Sequence, residues 1–159
     1  GVSMLGNAIN LTLLRAAASP EMAADNGTHH FTYAFTAWEG SLLQSPVVRQ
    51  GYELNVPTVL GSGQEGRKSF FSVQGAENLI IDTEKPAEDQ SGDIILRLYE
   101  SKHADSCCTL CWDLPVSSAC LCNMLEESDS CEPLAIDNGS AQLRFHPFEV
   151  KTIRLHPAK

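Results

Sequence analysis

Basic residues and long hydrophobic runs are both scarce in this chain of 159 residues. It has 11 Lys and Arg against 20 Asp and Glu, and a formal net charge of -9. A chain of this charge lacks the basic surface that neutralises phosphates, so nucleic acid and anionic membranes are excluded as main partners. Its longest apolar stretches, residues 8–14 and 94–98, are interrupted by Asn, Thr or Arg. They fall far short of a membrane span, and we expect a soluble protein.

We also expect no secretory leader, because the sequence does not begin with a charged segment followed by an apolar one and a small-residue cleavage site. A strand-like segment starts almost immediately, so we expect a fragment of a longer protein. Glycosylation triplets begin at Asn10, Asn26 and Asn138, but the last two contain Asn-Gly, which turns also produce. The six cysteines do not indicate secretion either, because a chain of this length needs no disulfide framework. We therefore predict a cytoplasmic location.

Two strands and a loop are predicted near the start of the chain. Alternation of Ile9, Leu11 and Leu13 with polar neighbours predicts a strand that ends at Arg15. Alternating aromatic residues predict a second strand over residues 29–38. Small, polar and turn-forming residues fill the dozen positions between the two strands. A loop of this length is long for a simple connection, which favours a functional role.

A helix and a domain boundary are predicted next. Residues 41–55 carry apolar side chains at roughly helical spacing, and Pro46 fits only near the start of such a helix. Glycine and polar residues make residues 61–66 the most linker-like stretch of the chain. We therefore divide the chain into residues 1–62, the terminal part of a larger β-sandwich domain, and residues 63–159, a small C-terminal β-sandwich.

Short β-rich segments separated by turn signals dominate the second region, and helical periodicity is almost absent from it. Such a pattern is typical of a small antiparallel sandwich. The predicted fold is mainly β, an antiparallel β-sandwich of the immunoglobulin-like or jelly-roll type with one short helix. The seven predicted strands of this region are residues 70–73, 79–83, 93–100, 109–114, 120–125, 141–145 and 148–155.

Three phrases of the sequence are similar, in their order and separation, to phrases of one known family. The first is LLR at residues 13–15 followed by DNGTHHFTY at residues 25–33. The second is RLYE at residues 97–100, and the third is PFEVKTIRL at residues 147–155. The chain resembles the glycoside hydrolase family 38 α-mannosidases along nearly its whole length. Three phrases in the same order are more specific than any one of them.

The resemblance implies the C-terminal β region of a retaining α-mannosidase. Its catalytic domain would lie upstream of Gly1 and carry a zinc ion, an aspartate nucleophile and an acid carboxylate. We therefore expect no catalytic residue and no cofactor in this chain, and an inactive fragment. The expected partners are the upstream catalytic domain of the same protein and, in the intact enzyme, an α-mannoside. Strand edges exposed in such a fragment would also favour a homo-oligomer.

Three residues are candidates for a loop that contacts substrate: Arg15, Asp25 and His29. The imidazole of His29 has one donor and one acceptor, which suits it to order the loop by hydrogen bonding its backbone. A zinc role is disfavoured, because His29 and His30 would face opposite sides of a strand. The guanidinium of Arg15 suits either sugar hydroxyls or a salt bridge to Asp25 that pins the loop, and we prefer the salt bridge.

Two sets of carboxylates outside this loop are close enough in sequence to be candidates for a catalytic pair. A retaining glycosidase needs two carboxyl groups about 5 Å apart. Asp82 and Glu84 share a predicted strand face, and Glu126 and Glu127 are adjacent. In an acidic protein such residues are usually solvated, so we assign no catalytic pair.

A weak alternative to a chain without a metal is a zinc site made by the thiolates of Cys107, Cys111, Cys120 and Cys122. Their spacing is irregular for such a site. A hairpin through residues 115–118 would join the strands that carry them and leave the cysteines as small core residues. We prefer core packing to metal binding, and metal binding to disulfide formation.

Two other functions are consistent with the composition. A non-catalytic carbohydrate-binding sandwich could stack sugar on Trp38, whereas Trp112 is expected in the core. A metal-stabilised interaction module could use the cysteine cluster. Fold alone does not separate these functions from the scaffold of an enzyme.

Overall fold

The computed structural model describes residues 1–63, 68–127 and 130–158. The chain divides into two compact units, Gly1–Ala37 and Trp38–Lys159. Gln64, Glu65 and Gly66 of the predicted linker lie outside the described residues. The boundary between residues 62 and 63 stays a prediction.

The first unit contains one β-hairpin and little other regular structure. Strand β1 (Val2–Leu5) pairs antiparallel with β2 (Ala8–Leu11). Strand β2 confirms that the first predicted strand exists, but it ends at Leu11 and not at Arg15. The turn between them includes Gly6 at a φ of 58°, a left-handed conformation that glycine adopts without a Cβ clash. The strand predicted over residues 29–38 is wrong, because these residues form no strand. Their alternating aromatic pattern has no paired neighbour strand among the described residues, and a strand needs one.

Among its described residues the second unit has eight strands: β3 (Phe71–Gln74), β4 (Leu79–Pro86), β5 (Ile94–Glu100), β6 (Ser106–Trp112), β7 (Val116–Cys122), β8 (Glu132–Leu134), β9 (Ser140–Phe145) and β10 (Val150–Pro157). They form a five-stranded sheet, ordered β4-β5-β10-β7-β8, and a three-stranded sheet, ordered β3-β6-β9. Every pairing in the two sheets is antiparallel. The sequence did not predict β8, a three-residue edge strand that contains a proline.

One hydrophobic core lies between these two sheets, which confirms the predicted sandwich. The period-2 alternation of each strand sends every second side chain inward. Both sheets contribute, with Leu110 and Phe145 from the three-stranded sheet and Leu98 and Ile153 from the five-stranded sheet all fully buried. The core residues are Phe71, Leu79, Leu96, Leu98, Cys108, Leu110, Trp112, Ala119, Ala141, Leu143, Phe145, Ile153 and Leu155.

The connection between β6 and β7 is not the hairpin that the sequence predicted. Strand β6 pairs with β3 and β9, whereas β7 pairs with β10 and β8 in the other sheet. Residues 113–115 therefore cross from one layer of the sandwich to the other. The cysteines of β6 and β7 consequently lie in different sheets, which removes the geometry assumed for a shared cysteine cluster.

The predicted helix and the Asn-Gly turn are both present. Helix α1 (Val47–Asn55) follows a 3-10 turn (Leu42–Gln44), and Pro46 stands at its N-cap, where the missing amide proton costs no helical hydrogen bond. Asn138 and Gly139 have φ values of 45° and 75°, which suit the tight turn that leads into β9. Among the described residues no helix has the length and apolar character needed to span a membrane.

Candidate functional site

The loop of the first unit brings two of its three candidate residues together. His29 Nε2 donates a hydrogen bond to the backbone carbonyl of Asp25 at 2.7 Å, as expected if the imidazole orders the loop. Asp25 itself has a φ of 59°, a left-handed conformation that Asp tolerates better than most residues. The His29 ring also stacks on Phe31, with centroids 6.1 Å apart. His29 therefore holds the C-terminal end of the loop in place.

Arg15 does not join this pair. All three candidates are exposed, and the ion pairs of the described residues include none between Arg15 and Asp25. The predicted salt bridge is therefore wrong. Asp25 is held through its backbone carbonyl, so its carboxylate is not needed to order the loop. Contact of Arg15, Asp25 and His29 with substrate stays a prediction.

The cysteines are arranged differently from the prediction. A disulfide joins Cys120 to Cys131, with Cα atoms 5.5 Å apart, a separation typical of such bonds. Cys107 is exposed and Cys111 is half-buried on the outer face of the three-stranded sheet. Core packing holds for the free thiol of Cys108, whose burial raises its pKa to about 11. The prediction of core packing is wrong for Cys107, which is exposed. It is also wrong for Cys120, which is bonded to Cys131 and is not a free thiol.

The zinc alternative finds no support in this arrangement. Cys107 and Cys111 belong to one sheet and Cys120 and Cys122 to the other. In the part of the chain that the structure describes, no group of three or more His, Cys, Asp or Glu side chains is placed to hold a metal ion. The two tryptophans are as expected, since Trp112 is buried in the core and Trp38 is 41% exposed.

An ion network on the outer face of the five-stranded sheet was missed by the sequence reasoning. Arg154, only 4% exposed, donates from Nε to Asp93 and from Nη2 to Asp89, both at 2.6 Å. Its Nη1 donates to the carbonyl of Glu126 at 3.1 Å. The only hint in the sequence is an arginine between two apolar residues of a predicted strand, Ile153 and Leu155.

Charge pairing in this network lowers the pKa of its carboxyl groups. Hydrogen bonds from Arg154 and Ser91 lower the pKa of Asp89 to about 2. Burial acts to raise the pKa of Asp93, but hydrogen bonds from Arg154 and His156 outweigh it and the pKa is lowered. These carboxylates are held ionised and paired, so they lack the raised pKa that a general acid needs.

Glu126 extends the network and corrects the expectation that it is solvated. It is 9% exposed, forms an ion pair with Lys85 at 2.8 Å and accepts a hydrogen bond from the amide of Glu88 at 3.1 Å. The ion pair with Lys85 is the main reason that its pKa is lowered. Glu127 is exposed, as predicted. The two adjacent carboxylates therefore have different surroundings and do not form a catalytic pair.

A second buried carboxylate, Glu100, ends β5. It is fully buried and accepts hydrogen bonds from Asn78 Nδ2 at 2.6 Å, from the amide of Lys102 at 2.7 Å and from the amide of Phe148 at 2.9 Å. Burial acts to raise its pKa, but these hydrogen bonds together lower it. Glu100 is the last residue of the RLYE phrase, one of the three phrases on which the family resemblance rests. Its hydrogen bonds give this residue a structural role.

One cleft of the second unit, of about 360 Å³, is lined by Glu88, Asp89, Glu126 and Glu127, but Asp89 and Glu126 are held in ion pairs with Arg154 and Lys85. A cleft of about 580 Å³ runs beside the 3-10 turn and β4. Of the described residues that line it, Arg49 and Lys102 are basic and Glu77 alone is acidic. Nearby, Tyr52 Oη donates to Asp82 at 2.8 Å and accepts from Tyr99 Oη at 3.1 Å, and this pairing raises the pKa of Tyr52. Asp82 and Glu84 are exposed, as predicted.

Comparison with known proteins agrees with this structure. The family model described as the glycosyl hydrolases family 38 C-terminal beta sandwich domain matches residues 78–153, from just before β4 into β10. Alpha-mannosidase 2C1 of Mus musculus is 36% identical over 161 aligned residues, which cover 98% of this chain and 15% of the relative. Alpha-mannosidase 2C1 of Homo sapiens is 35% identical with the same coverage.

A third relative is similar to this chain to the same degree. Alpha-mannosidase G of Dictyostelium discoideum is 35% identical over 164 residues, which cover 97% of this chain and 15% of the relative. The chain thus spans about 15% of the length of the curated relatives it matches. The strands, the core and these similarities agree: residues 78–153 match the C-terminal β-sandwich domain of glycoside hydrolase family 38, and the chain as a whole is similar to a segment of alpha-mannosidases.

Proposed function

We propose that the whole protein is a retaining α-mannosidase and that this chain is a scaffold packed against its catalytic domain. The observation that carries the proposal is the similarity to relatives named alpha-mannosidases, which covers 97–98% of this chain but 15% of each relative. The acidic residues that line its described clefts are exposed or held in ion pairs, which does not favour a catalytic pair. Hydrolysis of α-mannosides is therefore assigned to the remainder of the polypeptide.

Exposed apolar side chains of the first unit support packing against another domain. Met4, Leu5 and Phe35 are 75–80% exposed, although they belong to a hairpin and to an alternating aromatic segment. Apolar surface of this kind usually marks an interaction site. We infer that other parts of the same polypeptide cover it in the intact enzyme, and that Arg15, Asp25 and His29 lie in the loop nearest to the substrate.

The zinc ion and the reacting carboxylates belong to the catalytic domain in this proposal. When bound there, zinc supplies a Lewis acid that orients and polarises oxygen atoms of the substrate. Among the described residues of this chain, no group of side chains is placed to ligate zinc. Their contribution is to support the walls of the cleft.

An assay on an aryl α-mannoside with zinc tests both parts of the proposal. We expect turnover by the full-length protein and none by residues 1–159 alone, and NMR of the first-formed sugar should show the retained anomer. Turnover by the isolated chain would overturn the scaffold assignment. Absence of turnover by the full-length protein would overturn the α-mannosidase assignment.

A cytoplasmic location is a separate proposal. It is supported by four free cysteines, Cys107, Cys108, Cys111 and Cys122, because proteins of oxidising compartments usually pair theirs. The disulfide between Cys120 and Cys131 favours an oxidising compartment instead. Cell fractionation decides between them. We expect the protein in the cytosolic fraction, and recovery from a secretory fraction would contradict this location.

A further inference from the structure

Two turns at the same end of the sandwich present aromatic rings from unfavourable backbone conformations. His103 lies between β5 and β6 and Phe148 between β9 and β10, and each has a φ of 58°. A left-handed conformation is uncommon for residues other than glycine, and for a bulky side chain it is a clear outlier. Such conformations persist only when the surrounding structure enforces them, and they cluster at functional sites.

Glu100 enforces both conformations. Its fully buried carboxylate accepts one hydrogen bond from the amide of Lys102, next to His103, and another from the amide of Phe148 itself. Asn78 Nδ2 donates to the same carboxylate and also to Ser106 Oγ at 2.7 Å. A buried carboxylate is costly unless it is hydrogen-bonded, and these bonds connect the two turns to one fixed point. The rings are therefore held in position before any ligand arrives.

The two rings form a small exposed platform. Their centroids are 5.0 Å apart and their planes 25° apart, and Phe148 is 62% exposed. Polar side chains lie close to them in the chain, with Asp105 two residues after His103 and His146 two residues before Phe148. Asp105 Oδ1 pairs with His146 Nδ1 at 3.0 Å and with Arg144 Nη2 at 3.8 Å. These three side chains are 58–68% exposed, so they retain free hydrogen-bonding capacity.

We propose that this platform, the rings of His103 and Phe148 with the polar groups of Asp105, Arg144 and His146, binds one sugar ring of a glycan. The apolar face of a pyranose would lie against the Phe148 ring, and its hydroxyls would exchange hydrogen bonds with the carboxylate and guanidinium. A standard protein interface needs about 800 Å² from each partner. A single stacked pair with charged neighbours is too small for that and matches one sugar.

The identity of the sugar rests on the proposed function, which makes it a mannose unit of the substrate outside the catalytic cleft. The test uses the full-length enzyme, with KM and kcat measured on an oligomannose glycan and on an aryl α-mannoside. For Phe148→Ala we expect KM for the glycan to rise roughly threefold to tenfold, the range of one aromatic contact. Values for the aryl mannoside should stay unchanged, because this small substrate reaches only the cleft.

Matched variants separate binding from folding. Phe148→Tyr keeps an aromatic ring at this position and should behave like the wild type. Phe70→Ala removes an exposed phenyl ring elsewhere in the sandwich, so it should change neither the KM for the glycan nor the KM for the aryl mannoside. His103→Ala, which leaves Phe148 in place, should raise KM for the glycan by a smaller factor and remains informative if Phe148→Ala unfolds. Equal changes for both substrates, or no change for either, would overturn the proposal.

A binding measurement distinguishes failure of this site from failure of the proposed function. Calorimetry with a sulfur-linked mannobiose, which resists hydrolysis, should show binding by the wild type and weaker binding by Phe148→Ala. If the wild type hydrolyses no aryl mannoside, the α-mannosidase assignment fails while the calorimetry still tests the platform. Equal binding by the wild type and Phe148→Ala would overturn the platform alone.

Discussion

The two units of the chain differ in what their strands pack against. No residue of the first unit, Gly1–Ala37, is buried, although its hairpin is regularly paired. In the second unit the same kind of alternation buries thirteen hydrophobic side chains between two sheets. An isolated two-stranded hairpin is marginally stable at best in water, whereas two packed sheets are stable. We therefore expect the sandwich to carry the intrinsic stability, whereas the hairpin by itself is marginally stable.

Truncating one phenylalanine in each unit gives the largest expected contrast. Phe145 is fully buried, whereas Phe35 is 80% exposed. Phe145→Ala should lower the free energy of unfolding by about 3–5 kcal/mol because it leaves a cavity. Phe35→Ala should change it by less than about 0.5 kcal/mol. Urea unfolding of the two variants measures the difference, and similar losses would contradict the comparison.

Arginines of the two units give the next contrast. Arg154→Ala leaves the carboxylate of Asp93 buried without its main partner, and breaking a buried pair costs about 3 kcal/mol. Arg15 is exposed and forms no ion pair with Asp25, so Arg15→Ala should have little effect on unfolding. Thermal and urea denaturation of both variants check this. A loss from Arg15→Ala as large as that from Arg154→Ala would show that the first unit is packed in solution.

The disulfide is expected to matter less than the core. It closes the segment between Cys120 and Cys131, and a loop of this size contributes about 2–3 kcal/mol by restricting the unfolded chain. Cys131→Ser should therefore lower the midpoint of urea unfolding. Cys107→Ser, at an exposed free thiol, is the matched control and should leave it unchanged. A midpoint for Cys131→Ser equal to that of the wild type would show that the bond is not formed.

Acid should weaken the sandwich gradually and leave the hairpin unaffected. The pKa values of Asp93, Glu100 and Glu126 are lowered in the folded state. These groups therefore stabilise the fold at pH values above their unfolded pKa values of about 4. The contribution is lost as the pH falls through the lower pKa values of the folded state. Residues 2–11 contain no carboxylate. Urea unfolding at decreasing pH should show the loss, while NMR shifts of residues 2–11 stay constant. Stability that is flat down to pH of about 3 would contradict this expectation.

Local alternation predicted the strands of the sandwich well, because their partners lie in the same chain. The identical signal over residues 29–38 gave a wrong prediction, since alternation reports on the faces of a strand and not on whether a neighbour is present. The crossing after Trp112 was equally hidden, because a turn signal at Pro115 looks the same whether it reverses a strand within a sheet or carries it to the other layer. That crossing decided the surroundings of Cys111 and Cys120.

The candidate site shows the same limit in its polar contacts. His29 was predicted to hydrogen-bond the loop backbone, and it does so at Asp25, four residues away, where local spacing is informative. Arg154 meets Asp93 across 61 positions of sequence, and Glu100 meets Phe148 across 48. Such contacts depend on the register of strands that are distant in the chain, which composition and periodicity do not reveal.

Strand β10 is the last strand in the described part of the chain but lies in the middle of the five-stranded sheet, between β5 and β7. During translation, β4 with β5 and β7 with β8 therefore remain two separate strand pairs until residues 150–157 have left the ribosome. Until then the edges of β5 and β7 that later pair with β10 stay open, and open strand edges favour aggregation. A stop codon before residue 150 would remove the centre of the sheet and leave β5 and β7 without the partner that joins them.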